Sequence, residues 1–235
     1  MTQTSTDTPG KLVFVLVEPA RPENVGAAAR AIKTMGFNEL RLVGAAEPGP
    51  EAWWVAHESG EILDQAKRFD SLAAALEDVD FSVATGARRR LVRDRYLTPA
   101  QAAAAIRDKA GHVSRAALVF GRESSGLTSA EMALCDAAST IPMAVSQPSL
   151  NLAQAVMVYA WEMRQGQLTE AATSPAQADS FRVVRGQAHD LLAQLGFARD
   201  ENIHQWLTER LADADSRSLG LLMTVMQRIR QRITE

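Results

Sequence analysis

The chain is predicted to fold as an α/β protein, with a mostly parallel sheet flanked by helices and a small helical extension at the C-terminal end. Three observations lead there. Short runs that are apolar at nearly every position recur along the first two thirds, as strands buried on both faces require. Segments with helical periodicity alternate with them. From Phe181 onward only helical periodicity remains.

In chain order, the predicted strands are Leu12 to Val17, Leu40 to Val43, Phe81 to Ala84, Ala116 to Phe120 and Ala138 to Ile141. The predicted helices are Val25 to Met35, a stretch around Glu58 to Leu76, Pro99 to Lys109, Ser129 to Cys135, and a long one from about Leu150 to Arg164 that Gly166 closes. Residues 167–180, rich in Thr, Ala, Ser and Gln with Pro175, read as a linker. The resulting division is a polar, disordered tail at 1–10, a domain at 11–166, the linker, and a helical extension at 181–235. In the extension, Val184, Ala188, Leu191 and Leu195 form one apolar stripe. Ile203, Trp206, Leu207 and Leu211 suggest a second helix, and Leu219, Leu222, Met223, Met226 and Ile229 a third. Such stripes are packing surfaces before they are ligand sites.

Composition narrows the function. At 46% hydrophobic the chain can build a sizeable core, and it has no apolar run long enough for a membrane span. Met1 to Gly10 lacks the basic and apolar regions of a signal peptide. The single cysteine, Cys135, excludes an internal disulfide framework and a multi-cysteine metal site, and reads as a small buried residue rather than a nucleophile. His57, His112, His189 and His204 show no ligand spacing, so no metal is expected. These features predict a cytoplasmic protein. A net charge of -3 does not mark the whole chain as a nucleic-acid binder, so the distribution of charge matters more than the total. Arg88, Arg89, Arg90, Arg93 and Arg95 lie within one short segment against Asp94 alone, which is either a solvated loop or a phosphate-binding patch.

Three strand-to-helix turns carry the remaining signal. After the first strand, a proline-stiffened loop leads to Asn24, a good N-cap, and then Gly26 and Arg30. Glycine inside a helix costs about 1 kcal/mol against alanine, which predicts close approach of another backbone or of a substrate at Gly26. Arg30 would flank that bare patch, its planar fork suited to phosphate. The ordinary alternative is a solvent-facing arginine. Next, Phe120-Gly121-Arg122-Glu123-Ser124-Ser125-Gly126-Leu127 reads as a strand entering a tight polar turn. The glycine spacing mimics a P-loop, but Leu127 stands where the lysine must be, which excludes a nucleoside triphosphatase of that type. Glu123 sits between the glycines, where backbone amides can converge on a ligand; its plainer roles are helix capping or an ion pair with Arg122. Last, Ile141-Pro142-Met143 precedes Ser149-Leu150-Asn151, with Ser149 as a candidate N-cap and Asn151 in the first helical turn. The three turns could converge at one edge of the sheet.

In this order, Asn24-x-Gly26-x-x-x-Arg30, Phe120-Gly121-x-Glu123-x-x-Gly126-Leu127, and Ile141-Pro142-Met143 with Ser149-Leu150-Asn151-Leu152-Ala153 resemble the three motifs of the SpoU-type RNA ribose 2′-O-methyltransferases of the SPOUT class. Met35-Gly36-Phe37, Leu40-x-Leu42-Val43 and Ala84-Thr85-Gly86-Ala87-Arg88 are similar to the TrmJ-like subgroup, which methylates nucleotide 32 of the tRNA anticodon loop. The resemblance covers about residues 11–166, and the extension resembles that subgroup's helical tail. One departure is the nearly neutral Trp206-Leu207-Thr208-Glu209-Arg210, where the resemblance implies a more basic stretch.

The resemblance implies a C-terminal trefoil knot, a homodimer and a tRNA substrate. It also implies S-adenosylmethionine held by Thr85, Gly86, Ala87, Gly121, Ile141, Pro148, Ser149 and Leu150. Arg30 would complete the site of the other subunit, with Asn24, Glu123, Ser149 and Asn151 as further catalytic-site residues. The Arg88 to Arg95 cluster then becomes a candidate RNA contact. A ribosomal RNA target and a non-catalytic RNA-binding knot are the competing readings.

Overall fold

The computed structural model describes residues 11–86, 96–109, 111–145, 149–168 and 180–234. All five predicted strands are present, as β1 (Lys11–Val17), β2 (Glu39–Val43), β4 (Phe81–Thr85), β5 (Arg115–Phe120) and β6 (Ala137–Ser139). A sixth, β3 (Lys67–Phe69), joins them in one wholly parallel sheet of order β3-β2-β1-β5-β4-β6. β3 lies within the stretch expected to be helical. That stretch instead breaks into a 3₁₀ turn (His57–Ser59), α3 (Gly60–Asp64), β3 and α4 (Leu72–Ala75). As an edge strand with exposed Lys67 and Arg68, β3 carries no apolar run to betray it.

β1 shows why the central strands are apolar throughout. Leu12, Phe14 and Leu16 enter the core on one face, while Val13, Val15 and Val17 enter the core on the other. The first face is covered by α1 (Pro22–Thr34), α2 (Pro50–Ala56), α5 (Pro99–Arg107) and α7 (Leu152–Leu168). The second is covered by α4 and α6 (Ser129–Ala133).

Three predicted helix ends move. Pro22 has no N–H to satisfy and a fixed helical φ, so α1 starts there with Arg21 in the cap position; Asn24 is inside the first turn, not the N-cap. α7 begins at Leu152, and Asn151 Oδ1 accepts from the Ala153 N–H at 2.8 Å, so Asn151 rather than Ser149 caps it. Gly166 does not close α7, which runs on to Leu168. At Gly26 the close neighbour is another backbone: an added Cβ would lie 2.0 Å from the Ala52 carbonyl oxygen of α2.

β6 has neighbours on both sides. It pairs with β4, while Leu97 bridges Ser139 in parallel, with the Leu97 N–H donating to Ala138 O at 2.9 Å and the Thr140 N–H to Leu97 O at 2.9 Å. The chain at 137–140 therefore passes between two segments, 81–85 and 97, that the chain itself joins.

The extension folds as α8 (Phe181–Gln194), α9 (Asn202–Asp213) and α10 (Ser216–Thr234). Val184, Ala188, Leu191, Leu219, Met223 and Met226 are buried as expected, whereas Leu195, Trp206 and Ile229 are exposed. Leu195 lies just past the end of α8, and on α9 the buried positions are His204, Leu211 and Ala212. Phe181 packs edge-on against Phe81 of β4, with ring centroids 5.1 Å apart. Buried Lys109 donates to Ala212 O at 2.6 Å, and burial pushes its ammonium down to about 8 against the raising influence of Asp108, Asp213, Asp136 and Asp215. Arg185 of α8 pairs with buried Asp136, which also accepts from the Ser82 N–H at 2.8 Å. Among the described residues, no helix is long and apolar enough to cross a membrane.

Candidate active site

β1 and β5 are neighbours at the middle of the sheet, yet the helices that follow them lie on opposite faces, α1 on one and α6 on the other. This is a topological switch point, and the crevice beyond the carboxyl ends of the strands is where open α/β sheets bind ligands. The turn after β5 is built by its glycines. A Cβ on Gly121 would fall 2.2 Å from the Gly126 carbonyl carbon, and Gly126 itself has φ +68°. The Gly126 N–H donates to Arg122 O at 2.8 Å, closing the turn.

Glu123 projects from this turn to the loop after β1. Its carboxylate accepts from the Ala20 N–H at 2.9 Å and from Asn24 Nδ2 at 2.8 Å. Asn24 Oδ1 in turn accepts from Asn151 Nδ2 at 2.8 Å, and Asn151 Oδ1 caps α7. The polarity of this chain is forced. An ionised carboxylate only accepts, so Asn24 must present its NH₂ to Glu123 and its oxygen to Asn151. The three motifs, 99 and 127 residues from Asn24 along the chain, thus meet in one continuous relay. Glu123 takes neither of its plainer roles, helix cap or partner of Arg122.

Burial, the largest single influence on Glu123, raises its pKa. The Ala20 amide, the Asn24 side chain and the Glu123 and Arg21 backbones outweigh it, so the carboxyl titrates below its ordinary 4.5. A depressed folded-state pKa gives stability that is present above about 4.5 and lost as pH falls through the lowered value. Glu123→Gln should therefore cost about 1 kcal/mol at neutral pH, after discounting for partial exposure. Denaturant titrations of both proteins should show that difference shrinking towards pH 3. A gap of constant size from pH 7 to pH 3 would contradict an ionised Glu123 at the centre of the relay.

Beside the relay lies a cavity of about 520 Å³, within the range of small-molecule sites. Thr85, Gly86, Gly121, Ile141, Ser149 and Leu150, six of the eight residues expected to hold the cofactor, line it, as does Glu123. The other two, Ala87 and Pro148, lie outside the described residues, as do Arg88, Arg89, Arg90, Arg93 and Arg95. Ser149 lines the cavity but is not part of the relay. Arg30 does not join it either. It is exposed on α1, about 9 Å along the axis beyond Asn24, and its guanidinium has no partner among the described residues.

Sequence reasoning passed over three features. Tyr159 of α7 lines the cavity and donates to Ser139 Oγ at 2.8 Å; burial raises its pKa well beyond that of an ordinary phenol. On a helical pattern it looked like any core aromatic. Glu18 holds a left-handed φ of +44°, rare for a residue with a side chain, and Arg122 is its partner at 2.5 Å. Only the charged pair before the two serines hinted at the latter. His189 and His204 also meet, Nδ1 to Nδ1 at 2.7 Å, although their spacing showed nothing. Among the described residues, no group of three or more His, Cys, Asp or Glu could hold a metal ion. Cys135 is buried, as expected.

Residues 11–161 match the family model described as the SpoU rRNA Methylase family. The chain belongs to the SpoU methylase family. Residues 178–233 match a second model, the C-terminal domain of the tRNA/rRNA methyltransferase LasT, so the helical extension has its own counterpart. Among curated relatives, the chain is 44% identical over 96% of its length, and over 100% of the relative, to an uncharacterized tRNA/rRNA methyltransferase LasT of Escherichia coli K12. It is 39% identical, over 64% of its length and 63% of the relative, to the tRNA (cytidine/uridine-2′-O-)-methyltransferase TrmJ of Pectobacterium atrosepticum. The crystal structure of TrmJ from Z. mobilis ZM4 superposes with a TM-score of 0.64 at 31% identity, covering 93% of this chain and 98% of that one. This SpoU methylase therefore combines the parallel methyltransferase sheet with a LasT-type helical tail, and the expected family resemblance holds over both parts.

Proposed function

We propose that the chain is an S-adenosylmethionine-dependent tRNA ribose 2′-O-methyltransferase acting on the cytidine or uridine at nucleotide 32 of the anticodon loop. The observation that carries the reading is the Glu123–Asn24–Asn151 relay, which draws three separate motifs together against one cavity at the sheet's switch point. The TrmJ relatives, one named for cytidine and one for cytidine/uridine 2′-O-methylation of tRNA, support the substrate.

The cavity suits this cofactor. Thr85 and the backbone at Gly86 and Gly121 offer polar contacts, Ile141 and Leu150 offer apolar cover, and the volume is that of a cofactor pocket. When bound there, S-adenosylmethionine supplies a methyl group on a sulfonium, already a good leaving group. What the protein must add is alignment and a route for the hydroxyl proton. Arg30 offers paired N–H donors to the phosphate next to the target ribose and so positions the 2′-hydroxyl. A guanidinium stays protonated at neutral pH and is a poor base, so the proton leaves through a phosphate oxygen or water. Glu123, Asn24 and Asn151 hold the start of α1 against α7 and the cavity, which fixes the direction in which α1 presents Arg30 to the neighbouring subunit.

The enzyme acts as a homodimer in the cytoplasm, with the partner subunit's Arg30 completing each site. An Arg30 that is exposed and outside its own subunit's relay supports that arrangement. The passage of 137–140 between β4 and Leu97 supports a trefoil knot, which departs from the rule of unthreaded chains. The Arg88 to Arg95 cluster adds phosphate contacts.

A ribosomal RNA substrate is the second reading, favoured by the tRNA/rRNA name of the E. coli relative. Methyl transfer to a panel of transcribed tRNAs and to ribosomal RNA, followed by mapping of the 2′-O-methyl group, decides between them. Modification of tRNA at nucleotide 32 is expected. Transfer to ribosomal RNA alone, or to neither, would overturn the proposal.

A further inference from the structure

We infer that Arg122 is a positioning residue that fixes the cofactor-side turn to the exit of β1, and that its charge contacts no ligand. A guanidinium has five N–H donors, and every one of them is taken within the protein. Nε donates to Glu18 Oε2 at 2.8 Å and Nη2 to Glu18 Oε1 at 2.5 Å. Nη2 also donates to Glu131 Oε1 at 3.0 Å, and Nη1 to Glu131 Oε2 at 3.0 Å and, more weakly, to Gly126 O at 3.4 Å. Two carboxylates thus engage two edges of one planar fork, an arrangement lysine cannot reproduce.

Each partner is itself held. Glu131 accepts from the Thr128 N–H at 2.7 Å in the capping box that starts α6. Glu18 has φ +44°, and its N–H donates to Val43 O at 2.8 Å. Its side chain crosses Gly44, where any Cβ would come within 3.0 Å of Glu18 Cγ. Unfavourable backbone at Glu18 and a bare position at Gly44 persist together because they let the carboxylate reach Arg122. The next residue of the same turn, Glu123, binds the same loop two residues on, at Ala20. Two adjacent turn residues therefore grip two adjacent points of the β1–α1 loop, one by an ion pair and one through the relay. Arg122 also lines the cavity, so a slip of this brace displaces cavity wall and relay together.

This inference rests on the proposed cofactor site and is tested on the full chain. Arg122→Lys should weaken S-adenosylmethionine binding at least tenfold by calorimetry and lower kcat at least tenfold. The KM for tRNA should stay within about threefold and the melting temperature within a few degrees. Glu18→Gln should act in the same direction more mildly, and the double variant should be no worse than Arg122→Lys alone, because both remove one linkage. Cofactor affinity and kcat within twofold of the parent for both single variants would overturn the inference, as would strictly additive losses. A parent enzyme that binds the cofactor but methylates no tRNA would sink the functional proposal alone, since the brace is still read in the cofactor affinity.

Discussion

Arg30→Ala should lower kcat for tRNA methylation by about a thousandfold while leaving cofactor affinity unchanged. The size follows from what the side chain does in the proposed reaction. A bidentate, charge-assisted contact to phosphate sets the orientation of the 2′-hydroxyl, and misplacement by about 1 Å can cost a hundredfold on its own. The residue is exposed and its side chain makes no hydrogen bond or ion pair with the described residues, so stability should change by less than about 0.5 kcal/mol. Thermal melting and calorimetry with S-adenosylmethionine therefore separate a catalytic loss from a folding one. Arg30→Lys, which keeps the charge but not the fork, should fall between the two. Near-normal turnover by the alanine enzyme would remove Arg30 from the reaction, as anchor and as base alike.

Gly26→Ala should be strongly destabilising. Helix propensity alone favours the change by about 1 kcal/mol. Against it stands a Cβ built 2.0 Å from the Ala52 carbonyl oxygen and 2.8 Å from its carbonyl carbon. Those are backbone atoms of α2, which cannot swing aside as a side chain could, and overpacking of this kind costs about 3 kcal/mol or more. The steric effect wins, and a net loss of about 2 kcal/mol should lower the melting temperature by about 4–8 °C. Because α1 also carries Asn24 and Arg30, activity should fall with stability. An unchanged or higher melting temperature would mean that α2 does not seat on α1 in this way.

The reach of the sequence is clearest where chemistry is local. β1 was legible because both of its faces are buried, leaving no polar position to interrupt Leu12 to Val17. The Gly121–Gly126 turn was legible because only glycine tolerates its closure. β3 was not, since an edge strand with Lys67 and Arg68 exposed has no apolar signature. Trp206 was misplaced onto the inward stripe of α9 because periodicity fixes the spacing of a face but not which of two adjacent faces finds a partner. Asn24 was recognised as important for the wrong local reason. It suited an N-cap, but Pro22 had already started the helix, and that left the amide to bond Glu123 and Asn151.

By itself the sequence determined the class of the fold, the three motifs and the residue types that make their chemistry possible. These are short-range matters of periodicity, turn sterics and hydrogen-bonding capacity. Only the tertiary structure decided that Glu123 turns to Asn24 rather than to its neighbour Arg122. It also decided that Arg122 spends all five donors on Glu18, Glu131 and Gly126, and that Gly26 is bare to admit Ala52. The physical reason is the same in each case. A decisive partner in each case, Asn24 for Glu123, Glu18 for Arg122 and Ala52 for Gly26, lies about 26 to 104 residues away along the chain; the first two come within hydrogen-bond reach only when the parallel sheet sets β1 beside β5.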